Sequence, residues 1–417
     1  MMAQWNRRKF LKSGAALSGL FAAPNRVFCQ EKSERLPNIV FLMADDLGYG
    51  DLGCYGSPDI LTPAIDQLAR QGVRFTQYYA NAPECTPTRT ALLTGRYQQR
   101  VGGLECAIGV GNVGRYDDAI RLAEQHDLGL PSSEMTISRL LKQAGYATAV
   151  IGKWHLGYEA KFNPLHHGFD YFFGALGGAV DYFHHTEPDG KSQLYLNREP
   201  VKRDGYLTDL ITEESLQFIQ RQKKNKPFFL YVPYTAPHAP YQGPNDSHEK
   251  PLGEDGWNQG SRETYVKMVE RMDWSVGRIL EALEKQGFSE NTLVVFCSDN
   301  GGAKYADNGP LARGKGTAFE GGVRVPCIIR WPGRITQSNR TDRVAMTMDL
   351  TASLARIAGV QFMAGRSFDG IDIIGDIEQD RATLKRTLYW RKRRGDQTWR
   401  AVRDGSMKYI SDQRGEE

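Results

Sequence analysis

The chain has 417 residues, with 53 Lys and Arg against 49 Asp and Glu and a formal net charge of +4. That near balance carries no electrostatic footprint for nucleic acid, and the length implies one large domain plus a smaller one. Six cysteines, at 29, 54, 85, 106, 297 and 327, are scattered without a CxxC pair, so free thiols are expected and a disulfide framework is not.

The N-terminus reads Asn6-Arg7-Arg8-Lys9-Phe10-Leu11-Lys12 ahead of a weakly apolar stretch from Ser13 to Ala23. This pattern matches a twin-arginine export signal over residues 1–30, with a translocase as partner and a periplasmic or secreted destination. The apolar run is too short to span a membrane, and Phe28 before Cys29 argues against lipid modification.

Strands then alternate with amphipathic helical stretches, which predicts an α/β domain. The first apolar run, Asn38 to Ala44, ends at Asp45-Asp46, and a helix is expected from Thr62 to Gln71. Next comes Cys85-Thr86-Pro87-Thr88-Arg89, opening a short helix that stops at Gly95. Pro87 suits the first helical position and Gly95 a left-handed stop, which puts Cys85 just outside the N-terminus, where free N–H groups favour an anion. Arg89 adds a fixed charge one turn further in. Such a site suits a thiolate, a sulfate or a phosphate. Only three residues separate Cys85 from Arg89, too few to ring an anion with N–H groups as a thiol phosphatase loop does.

Three further apolar runs end in polar residues. Ala147 to Ile151 leads to Gly152-Lys153-Trp154-His155, Phe228 to Val232 leads to His238, and Leu293 to Cys297 leads to Ser298-Asp299-Asn300. Helices are predicted at Thr136 to Ala144, Asp209 to Gln222, Thr264 to Gln286 and Met348 to Ala358. Because ligands in open α/β sheets bind beyond the carboxyl ends of strands, the four clusters should converge on one crevice. Asp45, Asp46, Asp299 and Asn300 offer oxygen ligands without sulfur or imidazole, which suits Ca²⁺ or Mg²⁺ and suits zinc poorly. Beyond Gln361, β-like segments at Thr387 to Trp390, Trp399 to Arg403 and Met407 to Ile410 predict a small antiparallel sheet.

From Pro37 to Pro326 the chain resembles the type I, formylglycine-dependent sulfatases of the alkaline phosphatase superfamily. The motifs stand in family order: Asp45-Asp46-Leu47-Gly48-Tyr49-Gly50, the Cys85 motif, Gly145 to Thr148 with Gly152 to Gly157, Ala236-Pro237-His238, Ser298 to Gly302, and Lys315-Gly316-Thr317 with Glu320 to Arg324. The resemblance implies a large mixed, mostly parallel sheet flanked by helices, with a catalytic domain at 36–360 and a partial subdomain at 361–417. It also implies a further strand and a helix past Met407 to Ile410, so the small sheet is expected either to end in an exposed edge or to belong to a truncated product.

Carried over residue by residue, the resemblance implies that a formylglycine-generating enzyme oxidises Cys85, whose hydrated aldehyde is the nucleophile. One Ca²⁺, or Mg²⁺, would sit on Asp45, Asp46, Asp299, Asn300 and residue 85. Arg89 and Lys153 would fix the hydrate, Lys315 would neutralise the sulfate, His238 would protonate the leaving alcohol and His155 would take the proton that releases sulfate. The implied reaction is hydrolysis of a sulfated carbohydrate or aryl sulfate. Asp181, His184 and His185, in the stretch from Gly177 to His185, are the candidate substrate contacts, with His166-His167 placed nearby. Two alternatives stay open: a phosphonate monoester or phosphodiester hydrolase of the same superfamily, and a non-catalytic glycan-binding protein.

Overall fold

The computed structural model describes residues 35–246, 249–335, 340–360, 367–382 and 384–411. The twin-arginine segment and Cys29 lie outside the described residues.

The large sheet is built from β1 (Asn38–Ala44), β2 (Val73–Tyr79), β3 (Ala147–Ile151), β4 (Tyr171–Ala175), β5 (Leu194–Leu196), β6 (Glu199–Pro200), β7 (Phe228–Pro233), β8 (Thr292–Ser298), β9 (Cys327–Arg330) and β10 (Arg340–Met346). Its strand order is β10-β2-β9-β8-β1-β7-β3-β4-β5-β6. The central run β8-β1-β7-β3-β4 is parallel, while β9 runs antiparallel between β8 and β2. The expected mixed sheet is therefore present, and the apolar strands are buried on both faces, as parallel pairing requires.

Alternation along β1 shows how one strand feeds two cores. Ile39, Phe41 and Met43 join one apolar cluster, whereas Val40, Leu42 and Ala44 join the other. Against the second cluster pack α1 (Pro63–Arg70) and the helices Leu207–Gln220 and Arg262–Lys285. The opposite face is covered by α2 (Cys85–Thr94) and the helices Ile137–Gln143 and Thr347–Ile357. Helix boundaries fall within a residue or two of those expected.

The entry to α2 differs from the sequence reading. Cys85 is itself the first helical residue, behind the extended Glu84, and Pro87 is the third. Proline is tolerated there because the first four helical N–H groups have no partner within the helix. Every residue of α2 is buried, threonines included. Their hydroxyls make this possible: Thr86 donates to His155 O at 3.0 Å, Thr88 to Ala82 O at 3.0 Å, and Thr90 and Thr94 each to a carbonyl one turn back at 2.8 Å. Gly95, with φ of 66°, ends the helix as expected.

The small antiparallel sheet comprises β11 (Leu388–Arg394), β12 (Gln397–Asp404) and β13 (Met407–Ser411). Leu388, Trp390 and Ala401 pack with Tyr79, Ala91 and Met346, and Trp390 Nε1 donates to Ala80 O at 2.9 Å. The small sheet is thereby seated against the segment that leads into α2.

Candidate active site

Adjacent strands β8, β1, β7 and β3 deliver their polar carboxyl ends to one place. Asp45 and Asp46 follow β1, Asp299 and Asn300 follow β8, Lys153 and His155 follow β3, and His238 follows β7. From beside them α2 points Cys85 inward: its Sγ lies 3.3 Å from Asp45 Oδ1 and 3.8 Å from Lys315 Nζ. The structure thus brings all the expected catalytic and metal-binding residues together. Asp46 and His155 both adopt left-handed backbone, at φ of 67° and 57°, which is strained for a residue with a Cβ and clusters at functional sites.

Three buried carboxylates are balanced by three cations. Arg89 sends Nε and Nη2 to Asp299 Oδ2 at 3.0 and 2.8 Å, and its Nη1 to Lys153 O at 3.1 Å. Lys153 Nζ pairs with Asp45 Oδ2, and Lys315 Nζ lies 2.7 Å from Asp46 Oδ2. Against burial, which alone would raise it, Lys315 and His238 hold the Asp46 carboxyl below the usual carboxylate range. Burial and then the Asp45 charge push Asp299 up.

Burial, reinforced by Asp45, also pushes the Cys85 thiol well above its ordinary value. The thiolate left open by the sequence is therefore disfavoured: desolvation and a neighbouring carboxylate outweigh the helix terminus. Burial and Lys315 bring His238 down to about 3. Its Nδ1 donates to Ala239 O at 2.5 Å, leaving Nε2 3.6 Å from Asp46 Oδ2. His155 Nε2 lies 2.8 Å from Ile108 O and must be the donor, so Nδ1 is a bare acceptor, and it has no partner. Burial and Lys153 hold this imidazole neutral.

The oxygen donors of Asp45, Asp46 and Asn300 suit a hard divalent cation, and the His238 imidazole beside them was not among the expected ligands. Asp45, Asp46, Cys85 and His238 each place one ligand atom within 4.8 Å of the others. Asn300 Nδ2 donates to Asp46 Oδ1 at 2.7 Å, and Asn300 Oδ1 is buried without a partner, an oxygen left free for an ion. Asp299 stands outside the four-residue cluster, and Arg89 takes its Oδ2. Its Oδ1 lies 3.4 Å from Asp46 N.

Cys85, His155, His238 and Lys315 line a cavity of 730 Å³. Asp181, His184 and His185 do not line it, although Gly178 and Ala179 of the same loop do. The buried Asp181 carboxylate instead collects N–H groups of Phe183, His184, Leu252 and Gln242, closing a turn. His185 Nε2 bonds Gly205 O at 3.1 Å, and buried His167 stacks on Trp154 at 5.5 Å.

Among the residues that the sequence reading did not single out, Glu84, which precedes α2, and Lys392 of β11 reach the cavity wall. Lys392 Nζ lies 2.7 Å from Glu84 Oε1 and donates to Gly316 O at 2.8 Å. Glu84 also accepts the Ala107 N–H at 2.8 Å. Glu84 carried a local signal, as an acidic residue just ahead of a helix; Lys392 carried none.

An alkaline-phosphatase-like α/β hydrolase, with an acidic metal-type centre inside a cationic cavity, is the class this fold and site define. The family model described as Sulfatase matches residues 37–360. Human N-acetylgalactosamine-6-sulfatase is 35% identical over 377 residues, covering 85% of this chain and 68% of that protein. Mouse steryl-sulfatase is 34% identical, covering 82% of this chain and 65% of its own. The crystal structure of Ps i-CgsB in complex with k-i-k-neocarrahexaose aligns at a TM-score of 0.78 and 33% identity, over 90% of this chain and 84% of that one. The chain belongs to the sulfatase family, the enzymes that hydrolyse sulfate esters.

Proposed function

We propose that this enzyme removes sulfate from a sulfated carbohydrate after Cys85 has been converted to formylglycine by a maturation enzyme. The observation that carries the reading is Cys85 itself, buried at the inner end of α2 between Asp45 and Lys315, with its thiolate disfavoured. The similar protein crystallised with k-i-k-neocarrahexaose supports a glycan substrate.

Residue 85, as the hydrated aldehyde, supplies a hydroxyl aimed at sulfur. Ca²⁺, with Mg²⁺ as the substitute, would be held by Asp45, Asp46, Asp299 and Asn300 with residue 85 and would lower the pKa of that hydroxyl. Lys315 faces the incoming sulfate oxygens and balances their charge, while Arg89 and Lys153 hold Asp299 and Asp45 in place through their ion pairs. Burial first and Lys315 second hold the His238 pKa down; an anionic sulfate beside Lys315 offsets the second of these and favours an imidazole that carries a proton to the leaving alcohol. His155 accepts the remaining hydroxyl proton at its free Nδ1, the C–O bond between residue 85 and the sulfate breaks, and sulfate departs as the aldehyde re-forms.

In the same reading residues 36–360 carry the chemistry, Lys392 and Arg394 of the 361–417 subdomain add to the cavity wall, and residues 1–30 direct twin-arginine export to the periplasm or beyond. Among the described residues no helix is long and apolar enough to cross a membrane. Mass spectrometry of the peptide containing Cys85 tests the central step. The aldehyde is expected in protein that turns over a sulfate ester, and unmodified cysteine in fully active protein overturns the mechanism.

A further inference from the structure

Four consecutive basic residues, Arg391-Lys392-Arg393-Arg394, end β11. Alternation along a strand sends them to opposite faces, and their partners differ accordingly. Arg391 Nη2 bonds Glu105 Oε1 at 2.7 Å, and Arg393 bonds Asp117 at 2.6 Å and Asp118 at 3.1 Å. Lys392 and Arg394 face the cavity instead. Lys392 is matched by Glu84, whereas Arg394 is exposed and has no carboxylate partner among the described residues.

Beside Arg394 stands a second unmatched cation. Gly395 N donates to Arg115 O at 2.6 Å, which sets the two arginines on adjoining backbone. Arg115 also lines the cavity and has no carboxylate partner among the described residues, and its Nε is shielded from solvent without a hydrogen-bond acceptor. The Arg394 charge is near the route to the nucleophile: burial and Glu84 raise the Cys106 thiol, and Arg394 opposes that rise. Cys106 Sγ in turn donates to Glu84 Oε2 at 2.9 Å, immediately before Cys85. Two guanidiniums on one wall, half-buried or exposed where Cys85 is fully buried, offer planar charged donors at the outer part of the cavity.

We propose that Arg115 and Arg394 form an outer subsite that takes a second anionic group, sulfate or carboxylate, on the sugar unit bearing or adjoining the sulfate to be removed. The enzyme therefore selects multiply charged acidic glycans over singly sulfated ones. This deepens the sulfatase reading above and rests on it.

The test is the ratio of kcat/KM for disaccharides with two anionic groups to that for the singly sulfated counterpart, measured on mature, fully converted enzyme. One arm uses a disulfated disaccharide, the other a sulfated disaccharide containing a uronate, so the preferred arm identifies the anion. Wild type is expected to favour at least one arm, and Arg115→Gln and Arg394→Gln each to reduce that ratio by about tenfold. Arg393→Gln, on the other face of β11, is expected to keep the ratio.

A wild-type ratio near one, or an equal fall in Arg393→Gln, overturns the subsite. Calorimetric binding of the same disaccharides separates the two readings. If no sulfate ester is turned over yet both arginine variants lose binding, the sulfatase mechanism fails and the subsite stands. If turnover is normal and binding is unchanged in both variants, the subsite fails alone.

Discussion

Lys392 Nζ sits 2.7 Å from Glu84 Oε1, and both side chains are buried, so the small sheet is locked onto the residue that precedes Cys85. A three-stranded appendage thereby becomes part of the wall behind the nucleophile. Removing one partner of such a pair leaves an uncompensated buried charge. Lys392→Met is expected to destabilise the fold by about 3 kcal/mol and to lower kcat/KM, while Glu84→Gln with Lys392→Met recovers part of both losses. Thermal denaturation of the two single variants and the double variant measures the coupling, and strictly additive losses would contradict it.

Acid stability follows from the same pair. Burial alone would raise Glu84, but Lys392 and the Ala107 N–H bring it down from 4.5 to about 2. A carboxyl lowered on folding stabilises fully above its unfolded pKa and loses that contribution as pH falls through the folded one. The contribution is roughly 3 kcal/mol above pH 4.5, lost progressively toward pH 2. Urea unfolding at stepped pH should show Glu84→Gln narrowing the gap to wild type across that window; a gap independent of pH would refute the assignment.

Removing divalent cations should abolish turnover, and Ca²⁺ should restore it. Asn300→Ala, which deletes the unpartnered buried oxygen, is expected to raise the Ca²⁺ concentration needed for half-activity on the order of 10- to 100-fold. Full activity in chelated wild-type protein would exclude the metal.

In the proposed reaction His238 protonates the leaving alcohol, so its importance should scale with how poor that leaving group is. His238→Ala is expected to slow a sugar sulfate by about 10²- to 10³-fold and an activated aryl sulfate, such as a nitrophenyl ester, much less. Stopped assays on the two substrates decide this, and an equal loss on both would remove His238 as the acid.

Much of the site was legible because its signals are local. Apolar runs with strand length ended in Asp45-Asp46, Lys153 and His155, and Asp299-Asn300, and parallel strands must present those ends on one side. Other elements were less visible. β10 carries Arg340, Asp342 and Arg343 on a sheet edge, so no apolar run announces it. β2 does alternate at Val73 and Phe75, a signal that was available. Asp181, His184 and His185 have the chemistry of a glycan contact, but hydrogen bonds within their own loop and to Gly205, Gln242 and Leu252 occupy those groups.

Residue order alone determined the fold class and the convergence of four strand ends, because periodicity and turn chemistry act over a few neighbouring residues, whereas the cysteine motif was read from its resemblance to the sulfatases. The tertiary structure decided the ionisation and the partners. Nothing in Arg391-Lys392-Arg393-Arg394 says which cation meets Glu105, which meets Glu84 and which faces the cavity. That depends on the carboxylates packed opposite each face of β11, 286 residues away in the case of Glu105. Desolvation and pairing are properties of what surrounds a group in space, and these disfavour a thiolate at Cys85.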